Sequence, residues 1–177
     1  MKADAGFSLL ETLVAVTLLG VGVGALAQLS VIAADAGRRA RGITTASVLA
    51  QQKMEQLRAL AWWFDRAGQR VTDDASDTSI APESPTGGRG LSLSPAASLT
   101  TNIPGYYDYV DASGRLLGDG GGGTVPTDAR YIRRWAIAPV FGDPDDTIAI
   151  QVLVAPTGAR RAGEAARLIM VRTRWSG

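Results

Sequence analysis

The chain contains neither cysteine nor histidine. Without cysteine there is no disulfide framework, and the redox compartment is not written in the sequence. Without either residue the usual zinc ligand sets are missing, and no Ser-His or Cys-His nucleophile pair can form. Carboxylate or lysine chemistry would remain, but no convergent carboxylate motif is present. The sequence therefore argues against an enzyme and requires no cofactor. Net charge is scarce too. The 18 Lys and Arg are nearly balanced by 17 Asp and Glu, leaving +1, so nothing drives the whole chain toward nucleic acid or membrane.

Charge is also missing locally. From Thr12 to Ala34 there is no ionisable side chain, and a run of that length can span a hydrocarbon core. At its head stands a single acid, Glu11, preceded by Gly6-Phe7-Ser8-Leu9-Leu10. A lone carboxylate at the edge of a span is costly and marks a functional position. Beyond Asp35 the pattern becomes amphipathic. Ile43, Ala46, Ala50, Met54, Leu57, Ala61 and Phe64 recur at steps of three and four, while Arg38, Arg41, Gln52, Glu55 and Arg58 fall largely elsewhere. This spacing predicts one helix from Phe7 to about Trp63 that changes solvent midway. Residues 7–34 suit lipid or a helix bundle, and residues 35–65 suit a globular domain. Gly20, Gly22 and Gly24 interrupt the apolar half. Each costs a helix about 1 kcal/mol relative to Ala, and Gly20-x-x-x-Gly24 permits close helix approach.

Gly6-Phe7-Ser8-Leu9-Leu10-Glu11 followed by an uncharged span resembles the N-terminal signature of type IV pilins and of the pseudopilins of type II secretion. The resemblance implies that residues 1–6 are a leader, cut after Gly6 by a membrane-embedded prepilin peptidase that then methylates Phe7. It implies that Glu11 faces the terminal amine of a neighbouring subunit, where opposite charges in a low-dielectric fibre core attract strongly. It also implies that the glycine-rich part of the helix can unwind as a subunit leaves the membrane. The stretch Gln51-Gln52-Lys53-Met54-Glu55-Gln56-Leu57-Arg58 is similar to minor subunits, of the pilus-modification or secretion-tip type. The implied fold is α+β, a long N-terminal helix packed on a C-terminal antiparallel sheet. The implied partners are the peptidase, other pilins or pseudopilins, the inner-membrane assembly platform and, before assembly, membrane lipid. Three other readings stand beside it: a secretory signal peptide cut after Ala25-Leu26-Ala27, a simple membrane anchor, and a buried core helix. Arg38, Arg39 and Arg41 follow the span, and the positive-inside rule alone would leave the C-terminal domain in the cytoplasm. The resemblance places it in the periplasm.

Residues 66–104 are rich in Ser, Thr, Gly, Asp and Pro and predict a long surface loop with room for one short strand or helical turn. Residues 105–177 read as strands: Tyr106 to Ala112, Arg115 to Gly118, Tyr131 to Pro139, Thr147 to Ala155 and Ala166 to Trp175. Short connections predict an antiparallel meander. Ile148, Ile150, Val152 and Val154 alternate onto one face that should pack on the helix. Asp143, Asp145 and Asp146 could gather oxygen ligands, but a turn without metal is the expectation. Asp108, Asp111 and Gly114 read as a hairpin turn rather than a calcium loop. Gly118-Asp119-Gly120-Gly121-Gly122-Gly123-Thr124 lacks the lysine of a phosphate loop and reads as a tether. Arg130, Arg133, Arg134, Arg160, Arg161, Arg167, Arg172 and Arg174, with Tyr131, Trp135 and Trp175, would suit single-stranded DNA. Interspersed acids make DNA binding the minor reading.

Overall fold

The computed structural model describes residues 8–119, 124–158 and 165–175. The chain divides into two compact units, which meet between Ala40 and Arg41. The first holds the apolar part of helix α1 (Leu9–Ala59), whose leucines and valines are exposed throughout. Thr17 and Ser30 return their hydroxyls to the carbonyls of Val14 and Leu26, so neither adds an unmet polar group to the span. By length and composition α1 is able to cross a membrane, and it is the one such helix among the described residues.

The second unit contains the rest of α1 and two sheets. The strands are β1 (Trp62–Phe64), β2 (Arg70–Thr72), β3 (Tyr107–Val110), β4 (Leu116–Gly118), β5 (Tyr131–Pro139), β6 (Thr147–Pro156) and β7 (Ala166–Thr173). β1 and β2 form a small hairpin. The others form a five-stranded antiparallel sheet in the order β4-β3-β5-β6-β7. Ile148, Ile150, Val152 and Val154 are fully buried and share one core with Ala46, Leu49, Ala50, Met54 and Leu57 of α1. The fold is thus α+β, with the helix lying on an antiparallel sheet. Fully burying side chains of this size stabilises by about 1.5–3 kcal/mol each. The opposite face of β3 is covered as well. Tyr107 and Tyr109 pack edge to face at 5.8 Å in a second cluster with Ala129 and Ile132.

One expectation is corrected. The helix stops at Ala59 instead of continuing to Trp63 or residue 65. Ala61 and Phe64 lie beyond it, and Ile43 is exposed. The aromatic run Trp62-Trp63-Phe64 favours a strand, and it pairs with β2 across a turn closed by Asp65. The Asp65 carboxylate accepts the amides of Ala67 and Gln69. Residues 66–104 hold the one short strand that the sequence reading allowed, and local bonds order the rest. They contribute β2, a bridge between Asp77 and Ser84, and the buried Leu91. Asp73 organises them: its carboxylate accepts from the Ala75 and Ser76 amides and the Ser76 hydroxyl, and its carbonyl accepts from Leu91. Gly90, at φ 47°, lies so close that a Cβ there would sit 2.4 Å from the Asp73 carbonyl oxygen.

Candidate functional site

The N-terminal candidate begins at the edge of the described residues, with Gly6 and Phe7 outside them. Ser8 starts the helix. Its hydroxyl accepts the amide of Glu11 at 3.2 Å and its carbonyl accepts the amide of Thr12 at 3.2 Å. Ser8 and Glu11 are therefore spaced as N-cap and third helical residue, the pattern of a capping box. Glu11 also stands where the helix dipole favours negative charge. The side chain of Glu11 is solvent-exposed, free to meet a group from outside the chain. Gly20, Gly22 and Gly24 are helical, and apart from adjacent residues and the helix's own backbone nothing lies within 4 Å of where their Cβ atoms would be. The surface around them is open to a neighbouring helix. Arg38 and Arg39 both approach Asp35, at 3.7 and 2.8 Å, which weakens the positive charge that follows the span.

The C-terminal unit holds a cluster of charge that the sequence reading does not single out. Lys53 of α1, Asp108 of β3 and Arg133 of β5 are buried together. Arg133 grips both carboxylate oxygens of Asp108, through Nε at 2.6 Å and Nη2 at 2.9 Å. Lys53 Nζ donates to Asp108 Oδ2 at 3.1 Å, to the Thr78 carbonyl at 2.7 Å and to the Thr78 hydroxyl at 2.9 Å. It also sits 3.7 Å above the centre of the Trp135 ring. All three ammonium protons are satisfied and the ring face receives the charge. Burial still dominates, and the Lys53 pKa is lowered to about 8 despite the pull of Asp108. One signal in the sequence points here: Lys53 shares the helical stripe of Ala46, Ala50 and Leu57. The cluster ties helix, loop and sheet together. No described group of His, Cys, Asp or Glu is arranged to hold a metal ion.

A second charged cluster fastens the β1–β2 hairpin. The Arg174 guanidinium lies 3.5 Å from the centre of the Trp62 ring, and it donates to the Val71 carbonyl and the Thr72 hydroxyl. Arg70 pairs with Asp146 at 2.8 Å, and Asp145 lies 3.7 Å away. Asp143 accepts the Thr147 hydroxyl at 2.7 Å. The acids of this turn are thus engaged within the chain. At the other turn Asp111 accepts from the Ser113 hydroxyl and from the Ser113 and Arg115 amides. These bonds, the Ser113 hydroxyl first, hold its carboxyl well below the usual carboxylate range. Asp108 is not part of that turn.

Several of the described arginines considered for DNA are turned inward. Arg133 and Arg174 are buried, and Arg134 is half-buried and donates to the side-chain oxygen of Asn102. Trp135 is buried beneath Lys53. Arg167, which is exposed, donates to Gln151. Arg160 and Arg161, like Gly120 to Gly123, lie outside the described residues. The need to stabilise a buried carboxylate turns Arg133 inward, which a count of arginines along the sequence does not reveal.

Residues 1–27 match the family model of the prokaryotic N-terminal methylation motif. No curated protein and no solved structure matches the chain. The matched segment contains Gly6, Phe7, Glu11, Gly20, Gly22 and Gly24. It points to a structural subunit of the pilin or pseudopilin type and away from an enzyme.

Proposed function

We propose that the chain is a minor pilin or minor pseudopilin that primes, caps or modifies a type IV pilus or a type II secretion pseudopilus. The observation that carries this reading is the methylation motif at residues 1–27, with Glu11 at the head of an uncharged helix. In this reading the leader is cut between Gly6 and Phe7, and Phe7 is methylated by prepilin peptidase. The subunit waits in the inner membrane as a single-pass protein with its C-terminal domain in the periplasm. The apolar half of α1 exposes its leucines and valines, so it has two favourable environments, lipid and a bundle of like helices. The assembly platform moves it from one to the other. Glu11 then meets the terminal amine of a neighbouring pilin, and Gly20, Gly22 and Gly24 supply a packing seam or a point of local melting.

Mass spectrometry of the N-terminal peptide tests the reading, with N-methylated Phe7 as the expected start. A mature chain starting at Gln28 would identify a signal peptide and end it. The alternative is a filament-tip binding module, an adhesin or DNA receptor using the C-terminal sheet. The inward turn of Arg133 and Arg174 weakens its DNA form.

A further inference from the structure

We propose that Arg38 and Arg39 hold the phosphate of an anionic phospholipid at the end of the membrane span, above an apolar floor made by Val31 and Ile32. Val31, Ile32, Asp35, Ala36, Arg38 and Arg39 line one open groove of about 480 Å³ on α1. Their spacing explains the shared groove, since residues three and four apart lie on one face of a helix. Val31 and Ile32 are exposed and close the uncharged run. Long helical side chains lean toward the N-terminus, which here means toward the span. Both guanidinium groups reach back in that direction, to the Asp35 carboxylate at 3.7 and 2.8 Å. Their charge is thereby carried to the level of Asp35, which directly follows the last apolar position, Ala34.

Length fixes what lies at that level. At a rise of about 1.5 Å per residue, the helix from Thr12 to Ala34 is roughly 34 Å long. The hydrocarbon core is about 30 Å thick. Asp35 and the two guanidinium groups therefore stand in the first few ångströms of the headgroup layer, where the lipid phosphates are. Charge then selects among lipids. Asp35 meets the arginines only at the surface, with their side chains 69% and 70% exposed, an arrangement worth little in water. One carboxylate between two cations also leaves the groove positive. A phosphate matches a guanidinium fork in geometry and charge, and its acyl chains continue along Val31 and Ile32. A zwitterionic headgroup brings its own cation and gains less. The inference rests on the reading that α1 crosses a membrane, and it names the lipid that a subunit must release on leaving for a filament.

The test places the full chain in uncharged detergent with equal amounts of phosphatidylglycerol and phosphatidylcholine. Native mass spectrometry reads the ratio of the two bound forms, which should favour phosphatidylglycerol. Arg38→Gln and Arg39→Gln should each lower that ratio about fivefold, and the double variant roughly twenty-fivefold, the scale for basic side chains at an anionic surface. Asp35→Asn should raise it, because both guanidinium groups are then free for the phosphate. Arg58→Gln, which removes an exposed arginine further along the helix, should leave it unchanged. An equal fall in Arg58→Gln would mean that bulk charge and not the groove selects the lipid, and would overturn the inference. So would loss of the bound lipid to excess inorganic phosphate, since the groove would then hold a free anion. A ratio near one, or one that Arg38→Gln and Arg39→Gln leave alone, overturns it too and spares the membrane reading. If neither lipid binds and the chain stays in water without detergent, the membrane reading falls and takes this inference with it.

Discussion

Replacing Asp108 by Asn should expose how the buried charges are balanced. Lys53 and Arg133 would keep their positions with no anion between them. Breaking a buried pair by removing one partner costs about 3–5 kcal/mol. Lys53 is the member that can yield. In the folded chain its pKa is about 8, against an ordinary value of 10.5. That gap corresponds to about 3 kcal/mol spent holding the ammonium in the interior. Between these two pH values the unfolded chain binds more protons than the native one, so stability rises with pH; below about 8 the cost is fully present. Without Asp108, whose charge raises the Lys53 pKa, the variant's folded value falls further. The variant then gains stability over a pH range where wild type does not. The loss should therefore shrink by about 1 kcal/mol between pH 7 and pH 9, one pH unit of the gap being worth that much. Urea unfolding of a fragment beginning at Arg41, followed by tryptophan fluorescence at the two pH values, measures it. Lys53→Met is the control. It frees Thr78 of a donor but leaves the Arg133–Asp108 fork intact and removes the desolvated ammonium, so it should cost far less than Asp108→Asn. A loss under about 1 kcal/mol at pH 7, or one equal at both pH values, would refute the account.

Glu11→Ala should leave cleavage after Gly6 and membrane insertion intact while reducing surface filaments and partner crosslinks. Glu11→Gln should behave alike, and wild-type filament counts in either would remove the register role from Glu11. A reporter fused after Gly177 should be active only in the periplasm; cytoplasmic activity would mean that Arg38, Arg39 and Arg41 set the orientation. Gly90→Ala should destabilise the Arg41 fragment by about 1–3 kcal/mol in the same urea assay, because a Cβ at positive φ meets the Asp73 carbonyl.

The sheet was readable because one of its faces is covered. Ile148, Ile150, Val152 and Val154 must alternate if a helix lies against only one side of β6, and that period survives in the sequence. The end of α1 was not readable in the same way. Trp62, Trp63 and Phe64 fit an apolar helical stripe as well as they fit a strand. The choice is made by Arg174, which arrives from the far end of the chain to stack on Trp62. Lys53 was hidden for a related reason. Its position on the stripe says buried and its charge says exposed, and the conflict is resolved by Asp108, Arg133 and Thr78, none of them near it in sequence. Local bonding explains why residues 66–104 are ordered despite their composition: Asp73 serves the turn that follows it, a short-range effect that proline and glycine content obscures. The candidate site at Gly6, Phe7 and Glu11 stands on sequence, since the chemistry assigned to it needs an enzyme and a neighbouring subunit.

Arg174 has a consequence in time. In the proposed topology the residues it grips, Trp62, Val71, Thr72 and Asp146, would all cross the membrane before it. Until β7 arrives, the aromatic hairpin at the end of α1 has no guanidinium to lie under and the edge of β6 is bare. The domain can close only when its last strand has been delivered. An incompletely exported chain would thus present an open hairpin and an unpaired strand edge, and a completed one would not. If the chain is exported as proposed, that difference would let proteases tell unfinished chains from completed ones.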